Sequence, residues 1–583
     1  MILSKFSLLA IFAAILAIGS PIPGVSEAVE TLDQPNPLSV NSTIVEDATR
    51  KFSLPILPIG EPAQSPGPNN GQYGMQQSHM LDSAATTDAA KLERRSFWAD
   101  VERCSRENNY QDGQCINMVN ATPYRWRRGY YHSYRVSAWE ERWPEYIEPG
   151  ESIAVLAKMT NTGIFDRPED SAAEVAYHME GTSKPMSFML EYRPGRAHIP
   201  WIRLLDDLEI MNHYKGAEFS LGGRTSPNGV GFTIAGTEGD FITNDGPAAW
   251  MQAMVDDLGD KPLREIVLGR SHHAGMWKGI GGFPNTWWNT VTQEATLYDQ
   301  LRNGGSRVLD ARIVRTAGRF HVCHGALVDK TFLGSLGVRF DELIEQTNQF
   351  NEDYPGELII WDLHPDEAFK IGGKSGGEGW VYEEMEYGYL DGEGRADFLE
   401  SLKALDHRIS LPEGVDITKL PLNKFINSKD KKPAVIIRVD ERWLRSVDRE
   451  RWPGPSEGFV TNKDFPMTST WSEMPEIEAV VEHQLRRLDE VEVSRTSEVY
   501  DMQWLQTLVG FGAVWPLGVS LISMADQAWD AAFRELFNAL TPDRYPNWLT
   551  VDGIRNSELK TLVMAMNHCF VLERCGDWVD ERR

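Results

Sequence analysis

From about residue 250 onward the chain alternates short apolar, β-branched runs with longer stretches of helical spacing, and this alternation narrows the possible folds more than any other feature. The runs fall at 265–269, 307–314, 319–323, 357–364, 433–440, 498–505 and 547–552. Strands that alternate with helices are joined by crossovers, which makes neighbouring strands parallel and buries their sheet on both faces. Carried from 250 to 583, the pattern predicts an α/β fold, a TIM-like (β/α) barrel, with an irregular or missing helix between the second and third runs. In such a barrel the chemistry belongs at the C-terminal ends of the strands.

Residues 97–245 have a different character. Aromatics are frequent, short alternating runs such as Ser152-Ile153-Ala154-Val155-Leu156-Ala157 recur, and Gly or Pro interrupts them often. This predicts an antiparallel β-sandwich accessory domain ahead of the barrel. Residues 29–96, with Pro35, Pro37, Pro55, Pro58, Pro62, Pro66 and Pro68, lack apolar periodicity and read as a disordered leader or linker. Lys5, the apolar run from Phe6 to Ile18 and the small residues up to Ala28 predict a signal peptide over 1–28, and so a secreted, extracellular protein. No later stretch is apolar for long enough to form a transmembrane span.

Asp and Glu number 85 against 58 Lys and Arg, a formal charge of −27. That balance argues against a nucleic-acid partner and against general adhesion to anionic membranes. Of the five cysteines, Cys104 and Cys115 are close in sequence, as are Cys569 and Cys575, so an oxidising compartment would let each pair close a small loop. Cys323 is left over, and alternation aims it away from His324 as a buried thiol.

Two histidines each follow a strand-like run: His272 in Arg270-Ser271-His272-His273-Ala274-Gly275, and His324 in Phe320-His321-Val322-Cys323-His324-Gly325. Between them lies Val308-Leu309-Asp310-Ala311-Arg312-Ile313. Strand alternation puts Val308, Asp310 and Arg312 on one face and the apolar Leu309, Ala311 and Ile313 on the other. A carboxylate and a guanidinium in a barrel interior are costly unless paired, so they mark a polar site. A structural ion pair would account for Asp310 and Arg312, but not for the two histidines as well. A base, a fixed positive charge and an acid are what phosphodiester cleavage without a metal requires.

In this order the motifs resemble the X-domain of phosphatidylinositol-specific phospholipase C. Ser271-His272-His273-Ala274-Gly275 is similar to the family's Thr-His-Asp-Ser-Gly. Tyr298-Asp299-Gln300-Leu301, Gly304-Gly305, the strand ending at Arg312, His324-Gly325, Pro355-Gly356-Glu357-Leu358-Ile359-Ile360 and Val551-Asp552 resemble its later elements. The resemblance implies that His272 is a general base, that His324 is a general acid and that Arg312 neutralises the phosphoryl oxygens. It also implies that Asp310 orients this network and that Asp552 holds His272 in its working tautomer, with a cyclic phosphate as first product.

Calcium-dependent members resemble this chain but carry carboxylates at both positions of the second strand. Arg312 at the second position implies the metal-independent type, with no metal and no cofactor. The family often has an aspartate where this chain has His273, which reads either as a phosphate contact, and so a substrate-binding residue, or as a polar residue at the rim. By resemblance His364 is substrate-facing, and Asp362, Arg438 and Asp440 are further candidates for substrate binding, alongside readings as structural pairs. Trp277, Trp287 and Trp288 are either an apolar rim or ordinary packing, and the Gly-rich stretches at 279–282 and 372–377 read as loops at the barrel mouth. The implied partner is a phospholipid or other phosphodiester at a membrane surface. Two alternatives differ in class: a metal-dependent glycerophosphodiesterase-type hydrolase, whose carboxylate cluster Glu265 alone does not supply, and a non-catalytic membrane- or glycan-binding protein. The oligomeric state is not legible.

Overall fold

The computed structural model describes residues 113–137, 139–159, 172–193, 199–222, 229–283, 287–328, 330–372, 386–490, 498–509 and 519–583, all within one compact unit, Ala85–Arg583. The expected signal peptide and leader, and Cys104, lie outside the described residues.

Eight strands run parallel in chain order: β1 Leu268–Ser271, β2 Ser306–Thr316, β3 Leu358–Gly372, β4 Ala434–Val439, β5 Phe459–Thr461, β6 Met467–Thr470, β7 Val499–Gln503 and β8 Trp548–Val551. Each pairs with its successor except β5 with β6, and β8 pairs back on β1. The sheet therefore curls round on itself in the manner of a TIM-like barrel, with a seam between β5 and β6 among the described residues. The seam has a simple cause. Parallel neighbours need a crossover of about a dozen residues or more, whereas Thr461 and Met467 are joined only by a turn.

Several strands carry apolar, β-branched side chains buried on both faces, as in β4, where all six residues are buried. Helices between them bury one stripe each. Along Ile477–Glu490 the buried positions are Ile477, Val480, Val481, Gln484 and Leu488, the spacing of a single helical face.

The run at 319–323 is not a barrel strand. It belongs to Arg319–Val328, which turns back antiparallel on the far end of β2 through Ala317 and Gly318, at φ 48° and 75°. Positive φ at both central residues is the geometry of a two-residue hairpin, which cannot join parallel strands. The hairpin continues antiparallel to Thr331–Arg339 and on to Gly281–Phe283, and carries its own apolar cluster around Val314, Cys323, Phe332 and Phe369. The helix absent between the second and third runs is explained by this excursion; the crossover helix to β3, Phe340–Asp353, comes after it.

Ahead of the barrel lie two sheets. One contains Gly113–Ala121, Val136–Ser137, Ser152–Met159, Val230–Ala235 and Ile242–Thr243; the other contains Arg125–Tyr134, Tyr146–Ile147, Ala172–Glu180, Met186–Arg193, Ile199–Asp206 and Glu218–Ser220. Ile116, Met118 and Phe232 of the first share a hydrophobic cluster with Trp126, Tyr177 and Phe188 of the second. One ladder, Gly113–Ala121 with Val230–Ala235, is parallel. Alternate residues of the first sheet point the other way, and Val119, Ala121, Ala235 and Ile242 belong to the barrel's own cluster. Asn117 Nδ2 and Gly229 N–H donate to Asp530 at 2.6 and 2.9 Å, and Gly231 N–H donates to Glu558 at 2.8 Å. Gly231 admits this approach because a Cβ there would fall 2.0 Å from the Phe533 ring. Cys569 and Cys575 are bridged, Cys115 is also disulfide-bonded, and Cys323 is free and buried.

Candidate active site

The ends of β1, β2, β3 and β8 and the hairpin enclose a cavity of about 460 Å³ lined by His272, His273, Thr290, Arg312, His324, His364, Glu367 and Asp552. Its remaining wall mixes apolar residues, among them Leu333, Leu505, Leu508, Leu521 and Trp471, with the polar Asn289, Gln503, Gln506 and Thr507.

His272 follows β1 directly and is held from several sides. Its N–H donates to Val551 O at 3.2 Å, and its carbonyl accepts from Gln293 Nε2 at 2.7 Å and Thr292 Oγ1 at 3.2 Å. On the ring, Nδ1 lies 2.8 Å from Asp552 Oδ1. A carboxylate only accepts, so Nδ1 carries the proton and Nε2 presents its lone pair. The same reasoning applies to the other two rings. His273 Nδ1 faces Cys323 O at 3.1 Å and His324 Nδ1 faces Thr290 O at 3.0 Å, so each neutral ring leaves Nε2 as an acceptor. The His272 and His324 ring centroids are 6.4 Å apart, with His273 between them at 4.3 and 4.0 Å. His273 is fully buried, sits at φ 42° in the left-handed region, and its Nε2 has no hydrogen-bond partner.

Burial and the neighbouring guanidiniums keep His324, His364 and His273 neutral. Burial pushes His324 down to about 3, helped by the neighbouring His272 and Arg312, and pushes His364 down to about 3, with Arg312 again adding to it. His273 is lowered well below the ordinary histidine value, by burial first and Arg312 second. Asp310 shows the opposite balance. Burial works to raise it, but the guanidiniums of Arg312 and Arg270 prevail and hold the carboxyl well below the usual carboxylate range.

Arg312 is oriented by two carboxylates. Its Nε and one Nη donate to Asp310 Oδ2 at 3.1 and 3.0 Å, and the other Nη pairs with Glu367. Glu367, from β3, was not singled out from sequence. It lies beyond Pro365, where a strand is not expected to continue, and burial raises its carboxyl above the ordinary value despite Arg312.

The remaining sequence candidates separate into two levels. His364 lines the cavity beside Glu367. Asp362 is buried in the barrel interior, gripped by Arg270 at 2.8 Å and Arg438 at 2.7 Å, and neither Asp362 nor Arg438 lines the cavity. Asp440 caps the short helix Glu441–Leu444 by accepting from Arg442 N–H and also pairs with the Arg442 guanidinium. Arg270 and Asp501 were missed, although Arg270 lies two positions before His272, and alternation along β1 would have put both on the interior face. Trp277 packs against the barrel core, Trp288 is exposed, the Trp287 side chain and residues 373–377 lie outside the described residues, and Trp471 stands at the rim. A ligand-type atom from each of His272, His273 and Asp310 lies within 4.8 Å of the others.

No protein-family model matches the sequence, and no curated protein matches it. Among solved structures, the chain is similar to a mutant of the phosphatidylinositol-specific phospholipase C from Staphylococcus aureus, at 14% identity over 55% of this chain and 96% of that one, with a TM-score of 0.37. It is similar also to the phosphatidylinositol-specific phospholipase C from Listeria monocytogenes, at 13% identity over 55% of this chain and 98% of that one, with a TM-score of 0.34.

Proposed function

We propose that the chain is a phosphoric diester lyase and hydrolase acting on phosphatidylinositol or a related phosphodiester by histidine acid–base catalysis. The observation that carries this reading is the pair His272 and His324, 6.4 Å apart across one cavity, each with Nδ1 anchored and Nε2 free, beside a guanidinium already fixed in place. His272 Nε2 takes the proton of a hydroxyl on the substrate, whose oxygen attacks phosphorus. The bond to the leaving oxygen breaks, and His324 Nε2 delivers a proton to that oxygen, giving a cyclic phosphodiester. Water then opens the ring with the two roles exchanged. Arg312 offsets charge on the non-bridging oxygens, and Asp310 and Glu367 hold it in position. In the free protein burial keeps His324 unprotonated at neutral pH; a bound phosphodiester anion offsets that burial and draws the required proton to the ring.

Asp552 holds the His272 tautomer. His364 and His273 face the substrate, and the leucine-rich wall suits a substrate with an apolar portion presented from a membrane surface. On this reading the protein works outside the cell. The test is phosphorus NMR of phosphatidylinositol vesicles incubated with the protein in chelator. A cyclic phosphate should appear first, and His272→Ala and His324→Ala should each lower turnover by about 10²–10⁴-fold. Turnover that requires a divalent ion would overturn the mechanism.

A further inference from the structure

The three imidazoles share a property that the acid–base chemistry requires of two of them only, His272 and His324. At His272, His273 and His324 alike, Nδ1 is committed to an oxygen acceptor and Nε2 is left as a lone pair. A ring N–H donated to a carboxylate or a backbone carbonyl, with the other nitrogen free, is the arrangement that orients histidine as a metal ligand. The middle ring makes the case sharpest. His273 Nε2 is fully buried, has no hydrogen-bond partner and belongs to a cavity-lining residue, although burying an unsatisfied polar atom costs free energy. His272 Nε2 lies 4.0 Å from Asp310 Oδ2, which also holds Arg312, and Asp310 Oδ1 accepts no hydrogen bond and has Arg270 Nη2 at 3.4 Å. A tetrahedral ion with bonds of about 2.0–2.2 Å holds its donor atoms about 3.4 Å apart, so the set closes on an ion with side-chain shifts of about an ångström or less. Charge also allows it. Asp310, Asp362, Asp501, Asp552 and Glu367 surround the site and its floor against Arg270, Arg312 and Arg438, leaving an excess of carboxylates.

We infer that His272, His273 and Asp310 form a site for a borderline-soft divalent ion of the zinc class, and that filling it switches off the reaction proposed above. That second part rests on the proposed mechanism: an ion bonded to His272 Nε2 occupies the lone pair that the general base needs. Two imidazoles and one carboxylate suit zinc or cobalt better than calcium or magnesium, which take oxygen ligands.

The experiment uses the full chain, freed of metal with chelator and dialysed. Titration with zinc alone, followed by calorimetry, should show one ion bound per chain in the micromolar range or tighter. Cobalt in its place should give visible absorption of a low-coordinate site and paramagnetically shifted ring N–H proton resonances from two histidines, which needs no variant. His273→Gln and, separately, Asp310→Asn should weaken zinc binding at least tenfold, with circular dichroism reporting whether each has folded. Phosphatidylinositol turnover should fall at least tenfold in stoichiometric zinc and return with chelator. Absence of stoichiometric binding, a cobalt complex without shifted imidazole protons, or zinc-stimulated turnover would each overturn the inference. Because binding is read without turnover, a chain inactive on every phosphodiester would refute the catalytic reading and the inhibitory part, leaving the site to be judged on binding alone.

Discussion

Arg270→Met tests the electrostatic floor of the cavity. The guanidinium is buried and lies 2.8 Å from Asp362, 3.4 Å from Asp310 and 3.6 Å from Asp501. At an effective dielectric of about 20, each such contact is worth about 4 kcal/mol before desolvation. Returning the guanidinium to water in the unfolded chain recovers several kcal/mol, which offsets part of the sum. None of the carboxylates is stranded completely, since Asp362 keeps Arg438 at 2.7 Å, Asp310 keeps Arg312 at 3.0 Å and Asp501 keeps Ser469 at 2.7 Å. The loss therefore belongs in the range for a broken buried pair, about 3–5 kcal/mol. Urea unfolding at pH 7, followed by tryptophan fluorescence and extrapolated linearly, measures it. Adding Asp501→Asn removes one of the facing charges and should restore about 1–3 kcal/mol relative to additivity. A cost below about 1 kcal/mol, or strictly additive effects, would refute the view of Arg270 as the counter-charge for three carboxylates.

Three further outcomes are expected. His324 and His364 are held near 3 in the folded chain against an ordinary 6.5, so the unfolded chain binds protons that the native state declines, and stability should fall as pH drops from about 6.5 toward 3; the slope of urea midpoint against pH should flatten in a His324→Gln/His364→Gln variant, and an unchanged slope would sink the assignment. Asp552→Asn should lower phosphodiesterase turnover about 10–100-fold while leaving the urea midpoint nearly unmoved, because the Trp529 indole bonds to the backbone carbonyl of residue 552 and not to its side chain. Gly231→Ala should cost about 1–3 kcal/mol by driving a methyl into the Phe533 ring, part of it recovered by Phe533→Leu; wild-type stability in the single variant would show that the contact yields freely.

The barrel was legible because its signal is periodic. β1 to β4, β7 and β8 coincide with apolar runs, and the reason is burial on both faces. β5 and β6 are three and four residues long and lack a helix between them, so neither period had room to appear. The run at 319–323 has the composition of a barrel strand, and only the Ala317-Gly318 turn told against it. At the site, His272, Arg312, His324 and Asp552 are brought together from β1, β2, the hairpin and β8. Alternation correctly put Asp310 and Arg312 together, yet it could not show that Glu367 would reach Arg312 from past a proline, or that Asp362 would be spent on Arg270 and Arg438 below the cavity. Those depend on register between strands, which a single sequence leaves open.

The five-stranded sheet ahead of the barrel is covered on both faces, by the second sheet and by the helices carrying Asp530 and Glu558. A layer enclosed in this way is tied to both of its neighbours. Heat should release the two sheets and the barrel in one cooperative step, and a protease should find no cut near residue 246 that frees either part intact.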